Sequence, residues 1–196
     1  MMKFIHFRSA DINQLVEIHK NTFTKEHFTA FFPDELLKKY LLKLIEANEY
    51  NIGAYNSEGR MTGFIIAGTK SDVVIKQFTS ANLLIIFWQL MKHPFFLIEK
   101  IVDLILRFTR SKNISKEQVR IYLFEIDRPY QGEGLGKELL ENFENFLLNK
   151  QIFSFGLSVR KKNRRAVNFY ERNGFNKEFS DYKSIFFIKS LKIENN

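Results

Sequence analysis

A strand-like run that leads through a glycine-rich turn into an amphipathic helix constrains the fold of this chain more than any other feature. Gln118–Ile126 is rich in β-branched and aromatic residues, and Gly134–Lys150 repeats its apolar residues at helical spacing. Between them lie Gly132, Gly134 and Gly136, three of the nine glycines in the chain. The first amide groups of a helix have no intrahelical partner, and glycine lets an anion approach the backbone, so this geometry can bind phosphate. A tight turn that binds nothing would use the same glycines, so the turn alone leaves both interpretations open.

Two common phosphate-binding loops do not match this turn. A P-loop requires Gly-Lys-Ser or Gly-Lys-Thr, whereas Glu138 follows Gly136 and Lys137, so the hydroxyl that would bind magnesium is missing. A dinucleotide-binding fingerprint requires a third glycine where Lys137 stands, and it follows the first strand of a fold rather than a late one. Nucleotide hydrolysis and Rossmann-type dinucleotide binding are therefore disfavoured.

The composition is that of a globular protein. With 196 residues, 45% of them hydrophobic and 27% charged, we expect a single domain over residues 1–196 with a sizeable core. The chain has no cysteine, which excludes disulfides, thiolate metal sites and a covalent thioester on the protein, and no metal site is predicted. A formal charge of +8 favours anionic partners through the long-range field.

No segment has the pattern of a targeting or membrane-spanning sequence. The N-terminal residues lack the uninterrupted apolar run of a signal peptide. The most apolar stretch, Leu83–Met91, is much shorter than a bilayer-spanning helix requires. A cytoplasmic location is expected.

Strands and helices alternate along the chain, which is typical of an α/β fold with a mixed sheet. The predicted strands are Lys3–Arg8, Tyr50–Tyr55, Arg60–Gly68, Gln118–Ile126, Phe153–Val159, Phe175–Phe179 and Tyr182–Ile188. The predicted helices are Asp11–Phe23, one from Pro33 to Ala47, Phe78–Met91, Pro94–Arg110, Gly134–Lys150 and Asn163–Asn173.

Residues 71–117 interrupt the alternation with two predicted helices and read as an insertion. Their apolar residues would expose much surface unless they pack on the domain, on a partner subunit or on a membrane face. Additional core is the simplest interpretation, and contact with a membrane surface through residues 83–108 is an alternative. The sequence does not distinguish a monomer from a homodimer.

The turn Gln131–Gly136 resembles motif A of the GNAT superfamily of acyl-CoA N-acetyltransferases, in which Gln or Arg is followed by two residues, Gly, one residue, and Gly or Ala. A second set of residues resembles motif B of the same family: Leu157-Ser158-Val159, Asn163, Ala166, Tyr170 and Gly174-Phe175. The resemblance is specific over residues 118–190 and absent over 71–117. It implies a mixed, mostly antiparallel central sheet flanked by helices, with a two-helix insertion before the motif A strand.

The resemblance implies that acetyl-CoA is the co-substrate and that an amine attacks its thioester directly. The strand ending at Ile126 and the strand Phe153–Val159 would diverge, and the pantetheine arm would pair with the backbone between them. The Ile126 amide would stabilise the developing oxyanion. The implied cofactor-binding residues are Ile126, Arg128, Gln131, Gly132, Glu133, Gly134, Leu135, Gly136, Lys137, Asn163 and Tyr170.

Tyr170 matches the family tyrosine that protonates the leaving thiolate, and it is the first catalytic candidate. Without the resemblance it would read as a buried aromatic residue beside Val167 and Phe169. Asn163 reads as a helix N-cap, a cofactor contact, or both.

The general base is not identified by the sequence. Many bacterial relatives have a Glu where Ser158 stands, and the alternate positions before Ile126 hold Phe124, Tyr122 and Arg120 instead of a carboxylate or imidazole. Tyr122 is the second catalytic candidate, as a residue that orients a water.

Four other ionisable residues are weaker candidates for the base. Glu125 and Asp127 point away from the cofactor face by strict strand alternation, unless a bulge reverses the register. His27 and His93 are more typical of surface or capping histidines.

The acceptor is expected to be a small molecule with a primary amine. A weak likeness of residues 26–33 and of the insertion to GNAT enzymes of amino-sugar polysaccharide pathways makes an amino sugar one hypothesis. A protein N-terminus or lysine is an alternative acceptor.

A basic nucleic-acid-binding module is the non-enzymatic alternative to an enzyme. The phenylalanines follow core patterns rather than basic pairs, so no nucleic acid is expected as a partner. The basic run Arg160–Arg165 could bind the 3′-phosphate of CoA, bind an acidic acceptor, or be a solvated turn.

Overall fold

The computed structural model describes residues 2–7, 9–23, 27–109, 115 and 117–191, with the side chains of 71, 72 and 103–109 excepted. Arg8 and Arg110, predicted as the last residues of the first strand and of the second inserted helix, lie outside the described residues.

The predicted order of strands and helices is confirmed outside the insertion. The strands are β1 Lys3–His6, β2 Tyr50–Tyr55, β3 Met61–Gly68, β4 Arg120–Ile126, β5 Ser154–Arg160, β6 Asn176–Ser180 and β7 Ser184–Ser190. The helices are α1 Ile12–Thr22, α2 Asp34–Ala47, α3 Ser71–Ala81, α4 Leu83–Lys92, α5 Pro94–Thr109, α6 Leu135–Asn149 and α7 Arg164–Arg172. Short 3₁₀ turns occupy Ser9–Asp11, Phe28–Phe31 and Arg128–Tyr130.

The strands form one mixed sheet in the order β1-β2-β3-β4-β5-β7-β6. The β4–β5 pair is parallel, and each other neighbouring pair is antiparallel. The mixed, mostly antiparallel sheet is therefore confirmed, and its central parallel pair carries both motifs.

Each face of the sheet buries its own hydrophobic core. On one face α1 and α2 pack with Phe64, Leu123 and the inner residues of the insertion. On the other face α6 and α7 pack with the apolar side chains of β4, β5 and β7. The amphipathic patterns of α1, α2 and α6 predicted these buried faces correctly.

The insertion has three helices within its described residues, so the prediction of two was wrong. The predicted helix Phe78–Met91 is broken at Asn82, whose amide N–H and side-chain Nδ2 both donate to the carbonyl of Phe78, at 3.1 and 2.9 Å. This capping ends α3, and α4 starts again at Leu83 after a bend of 86°. Among the described helices none is long and apolar enough by itself to cross a membrane, and α3 with α4 reaches that length only across this bend.

The interpretation of the insertion as additional core holds for its inner side only. Phe78, Ile86 and Phe96 are buried, and the first two belong to the α1–α2 core. The outer face of α4 and α5 is exposed and apolar. We define this outer face as the exposed residues Leu83, Leu84, Ile85, Phe87, Trp88, Met91, Phe95, Ile98, Ile101 and Val102.

Candidate active site

A gap opens between the parallel strands β4 and β5. The two strands pair only at Arg120 with Gly156 and at Ile121 with Leu157, and they diverge toward their carboxyl ends. The Asp127 amide donates to Thr62 of β3 at 2.9 Å. Because backbone groups alternate in direction along a strand, the amides of Phe124 and Ile126 face the gap.

The glycine-rich turn lies at the open end of this gap and presents a row of free amides. Gly132 and Gly134 have φ values of +93° and +90°, a conformation that strains any residue with a Cβ atom. None of the amides of residues 132–136 has a hydrogen-bond partner among the described residues. Buried Leu135 anchors the first turn of α6, whereas Glu133 is exposed. Lys137, in the first turn of α6, is also exposed and pairs with Glu141 at 3.6 Å.

Gln131 connects the two motifs. Its Nε2 donates to the carbonyl of Ile126 at 2.7 Å, and its Oε1 accepts from Arg165 at 2.8 Å. The glutamine of motif A therefore fixes the turn to the end of β4 and to α7, a role that the sequence did not reveal.

The backbone of Arg128 is used inside its own turn. Its amide donates to Asp127 Oδ1 at 2.9 Å, and its carbonyl accepts from the Gln131 amide at 3.3 Å. A ligand that pairs with the Arg128 amide would have to replace its bond to Asp127, so the Ile126 amide, which faces the gap, is the better placed of the two predicted donors.

Tyr170 lies on α7 against the gap. Tyr170 is 9% exposed, and its ring centroid lies 6.4 Å from that of Phe124 and 6.1 Å from that of Phe187. Its hydroxyl makes no hydrogen bond with any residue that the structure describes. Burial raises the pKa of this phenol above its usual range, so the phenol stays protonated at neutral pH.

Asn163 caps α7, as predicted from its residue type. Its side-chain oxygen accepts from the Ala166 amide at 3.0 Å. The expected contact of Asn163 with the cofactor stays a prediction.

Glu125 lies on the α1 side of β4, opposite Phe124 and Ile126 as strand alternation predicted, and a β-bulge precedes it. The register with β3 passes from Leu123 to Ile121 and skips Tyr122, which is half-buried at the bulge. Ile121 therefore joins the core beneath α6, whereas Leu123 joins the core beneath α1. Glu125 follows Leu123 on the α1 side, where it is 1% exposed.

Glu125 is the inner end of a chain of four hydrogen-bonded side chains that sequence reasoning missed. Its Oε1 lies 2.7 Å from Nδ1 of His19, and Nε2 of His19 lies 2.7 Å from Oγ1 of Thr29. The same Oγ1 lies 2.7 Å from Nδ1 of His27. We call these four residues the relay. The only sequence signal for it was His19 itself, a polar residue on the helix face of Leu15 and Val16.

The donors and acceptors of the relay allow two proton arrangements, one with His19 neutral and one with His19 protonated. A carboxylate only accepts, so Nδ1 of His19 donates to Glu125 in both. With His19 neutral, its Nε2 accepts from the Thr29 hydroxyl, Nδ1 of His27 donates to Thr29, and Nε2 of His27 carries a free lone pair. With His19 protonated, the two bonds to Thr29 run in the opposite direction and Nε2 of His27 carries the proton.

His27 lies on the α1 side of the gap and is neutral at neutral pH. Thr22, shortly before it in the chain, donates to the carbonyl of Ile126 at 3.2 Å. Burial, followed by the charges of His19, Arg160 and Lys100, lowers the pKa of His27 to about 3. Arg160 is the last residue of β5, so the end of that strand lies near enough to His27 for its charge to affect this pKa. His93 instead packs against Phe31, with ring centroids 4.1 Å apart and ring planes tilted by 42°.

The basic run after β5 is not a simple solvated turn. Arg160 makes two 3.0 Å contacts with the carboxylate of Glu99 in α5, and Arg165 binds Gln131. The Nζ of Lys162 lies 5.7 Å from the ring centroid of Phe95. The run therefore joins the insertion to motif A, while contacts with a phosphate or an acidic acceptor stay predictions. Over the described ranges no cluster of three His, Asp or Glu side chains could hold a metal ion.

Comparisons with known proteins agree with this geometry. The chain is 33% identical over 60 residues to the [ribosomal protein bS18]-alanine N-acetyltransferase of Escherichia coli K12, a match over 31% of this chain and 40% of that relative. The chain thus spans less than half the length of this curated relative.

Solved structures of acetyltransferases share the whole fold. PaiA N-acetyltransferase from Thermoplasma acidophilum, crystallised with coenzyme A, has a TM-score of 0.61 at 17% identity over 97% of this chain and 99% of that one. The Drosophila melanogaster polyamine N-acetyltransferase has a TM-score of 0.62 at 14% identity over 97% and 100%. The model of the acetyltransferase (GNAT) family matches residues 12–175. This chain therefore belongs to the GNAT family of acetyltransferases.

Proposed function

We propose that the protein transfers the acetyl group of acetyl-CoA to a primary amine. The observation that carries the proposal is the row of free amides at residues 132–136, at the open end of the β4–β5 gap and close to buried Tyr170. Such a row suits a pyrophosphate, and the diverging strand edge suits an extended chain with amide groups. Membership of the GNAT family supports the same ligand.

The residues present fit acetyl-CoA, which supplies the activated acetyl group. The amides of the turn would bind the pyrophosphate, and exposed Lys137 would add a positive charge. The amides of Phe124 and Ile126 face the gap and would pair with the pantetheine arm. The Ile126 amide would also stabilise negative charge on the carbonyl oxygen during attack.

In this proposal Tyr170 is the general acid. The amine nitrogen forms a bond to the carbonyl carbon, the bond from that carbon to sulfur breaks, and the leaving sulfur takes the phenolic proton. Because burial raises its pKa, the phenol keeps its proton at neutral pH, so the proton is present when the sulfur leaves.

His27 is the proposed general base in the arrangement with neutral His19, in which the relay offsets the low pKa of His27. When Nε2 of His27 takes the proton of the amine, each proton of the relay can move one step inward. The Nδ1 proton of His27 passes to Thr29, the Thr29 proton to His19, and the Nδ1 proton of His19 to Glu125. The proton ends on the buried carboxylate, and no uncompensated cation is left beside Arg160 and Lys100.

The proposed acceptor is a primary amine, and we propose no narrower class of acceptor. Two of the similar proteins acetylate an alanine of a ribosomal protein and a polyamine. Neither these relatives nor the fold supports an amino sugar or a nucleic-acid-binding module. The acceptor panel includes a peptide N-terminus because the Escherichia coli relative acetylates an alanine of a ribosomal protein.

Calorimetry with acetyl-CoA tests the cofactor site. Gly134→Asp should weaken binding at least about a hundredfold, because an acidic side chain would stand against the pyrophosphate. Gly59→Asp is the matched control, since Gly59 also has a positive φ of +78° and open space around it, but lies in the β2–β3 hairpin. Equal affinity of the two variants would contradict the proposed site.

A thiol-release assay with a panel of amines tests the transfer. The panel holds a polyamine, an arylalkylamine, a hexosamine and a peptide with N-terminal alanine. Amine-dependent release of CoA, with the acetylated amine identified by mass spectrometry, is expected for at least one class. Tight acetyl-CoA binding with no transfer to any amine would contradict the proposed activity.

A further inference from the structure

The outer face of α4 and α5 is an unusually large exposed apolar surface. Ten of the 13 exposed large hydrophobic residues in the described part of the chain belong to it, including Leu84 at 76% and Trp88 at 64% exposure. Side chains of this size expose on the order of 1,000 Å² together, whereas most soluble monomers keep contiguous apolar patches to a few hundred Å². A face of this kind indicates an interaction surface.

The inner side of the same helices fixes the direction of the outer face. Phe96 is buried, with its ring centroid 5.5 Å from that of Phe28 and 5.6 Å from that of Phe31. Ile86 is buried in the α1–α2 core. Because these anchors occupy the inward positions, the outer side chains point away from the rest of the domain.

The described charged side chains that border the outer face are positive, and Asp103, whose side chain lies outside the described part, follows Val102 in α5. Residues 83–102 contain a single acidic residue, Glu99, which is turned inward onto Arg160 and Lys183 at 3.0 and 3.4 Å. Lys92 and Lys100 are exposed on the two helices. Lys162 lies over the ring of Phe95, one of the residues of the face.

An apolar face bordered by lysines matches an anionic lipid surface better than a second copy of the chain. Two copies meeting face to face would bring their lysine borders together, and each copy carries a formal charge of +8. Anionic headgroups attract the same lysines, while the acyl boundary accepts the apolar side chains. Tryptophan, with an apolar ring and a polar N–H, favours the boundary between the two regions.

We propose that α4 and α5 dock the protein on the surface of a membrane that contains anionic lipid, with the outer face in the headgroup layer. With 10 and 16 residues, the helices are only about 15 and 24 Å long, so they are suited to lie on a bilayer rather than to cross its core of about 30 Å. This inference is independent of acetyl transfer.

The single tryptophan of the chain provides the test, because Trp88 lies within the outer face. The full-length protein is titrated with vesicles of zwitterionic phospholipid alone, and with vesicles that also contain anionic phospholipid. With anionic vesicles, Trp88 emission should shift to shorter wavelength, and lipids brominated near the headgroup should quench it. Raising the salt concentration should weaken binding, since the electrostatic part is screened.

Two sets of variants separate the apolar and the charged contributions. The double variant Leu84→Glu, Ile98→Glu keeps Trp88 as the fluorescent reporter and should lower partitioning onto vesicles at least about tenfold. Lys92→Gln or Lys162→Gln should lower partitioning to anionic vesicles about fivefold each. Phe153→Glu is the matched control, because Phe153 is similarly exposed at 46% but lies outside the insertion, and it should partition like the unchanged protein.

Three results would overturn the proposal. Trp88 emission could stay unchanged at the highest vesicle concentration, or the Leu84→Glu, Ile98→Glu variant could bind vesicles as well as the Phe153→Glu control. Light scattering could instead find a dimer that Leu84→Glu with Ile98→Glu dissociates, in which case a second copy covers the outer face.

Discussion

Replacing Thr29 by valine would remove the central link of the relay while keeping the shape of the side chain. Thr29 is 8% exposed, and its Oγ1 is the only hydrogen-bond partner that the described residues offer to both His19 Nε2 and His27 Nδ1. Without that oxygen the proton accepted by His27 cannot pass to Glu125. Loss of general-base catalysis should lower kcat/KM by about 10²–10⁴.

The same substitution also has a calculable effect on folding. Each buried nitrogen left without a partner should cost about 1–3 kcal/mol of the free energy of unfolding. Thr29→Ser keeps the hydroxyl and serves as the control, so it should retain most of the activity and stability. Urea unfolding reports the stability, and the thiol-release assay reports kcat/KM as a function of pH.

The comparison of the two variants decides whether the relay acts in catalysis. If Thr29→Val and Thr29→Ser had equal kcat/KM over the whole pH range while acetyl-CoA affinity stayed unchanged, the relay would be a structural network only. An acceptor whose amine is already neutral at the assay pH gives a second check, because it should be much less sensitive to Thr29→Val.

Three further perturbations have directions that the structure fixes. The pKa of His27 is about 3 in the folded protein and has the ordinary value of 6.5 in the unfolded chain, so the unfolded chain takes up the proton first as the pH falls. The free energy of unfolding should therefore fall between about pH 6.5 and about pH 3, by up to about 1.4 kcal/mol per pH unit. His27→Gln should remove that part of the pH dependence, and an unchanged slope of urea stability against pH would contradict the assignment. Tyr170→Phe should lower kcat by about 10² or more with acetyl-CoA affinity nearly unchanged, and equal turnover would limit Tyr170 to packing. Phe143→Ala should cost about 3–5 kcal/mol of stability, because Phe143 is fully buried against Phe155, and a loss under 1 kcal/mol in urea unfolding would be inconsistent with that packing.

The sequence by itself determined the features that depend on local geometry. The strand, turn and helix of motif A followed from glycine spacing, because Gly132 and Gly134 adopt positive φ values that other residues avoid. The Asn163 cap of α7 and the left-handed Gly174 after it were likewise readable from residue type, since a cap and a helix end involve neighbours within a few positions.

Tertiary structure alone decided which distant side chains meet. His19 and Glu125 are 106 residues apart, and strand alternation puts Glu125 on the face opposite Phe124 and Ile126 but does not show that α1 covers that face. The break at Asn82 and the exposure of the outer face also depended on packing, because apolar periodicity indicates that a helix has an apolar side but not what covers it.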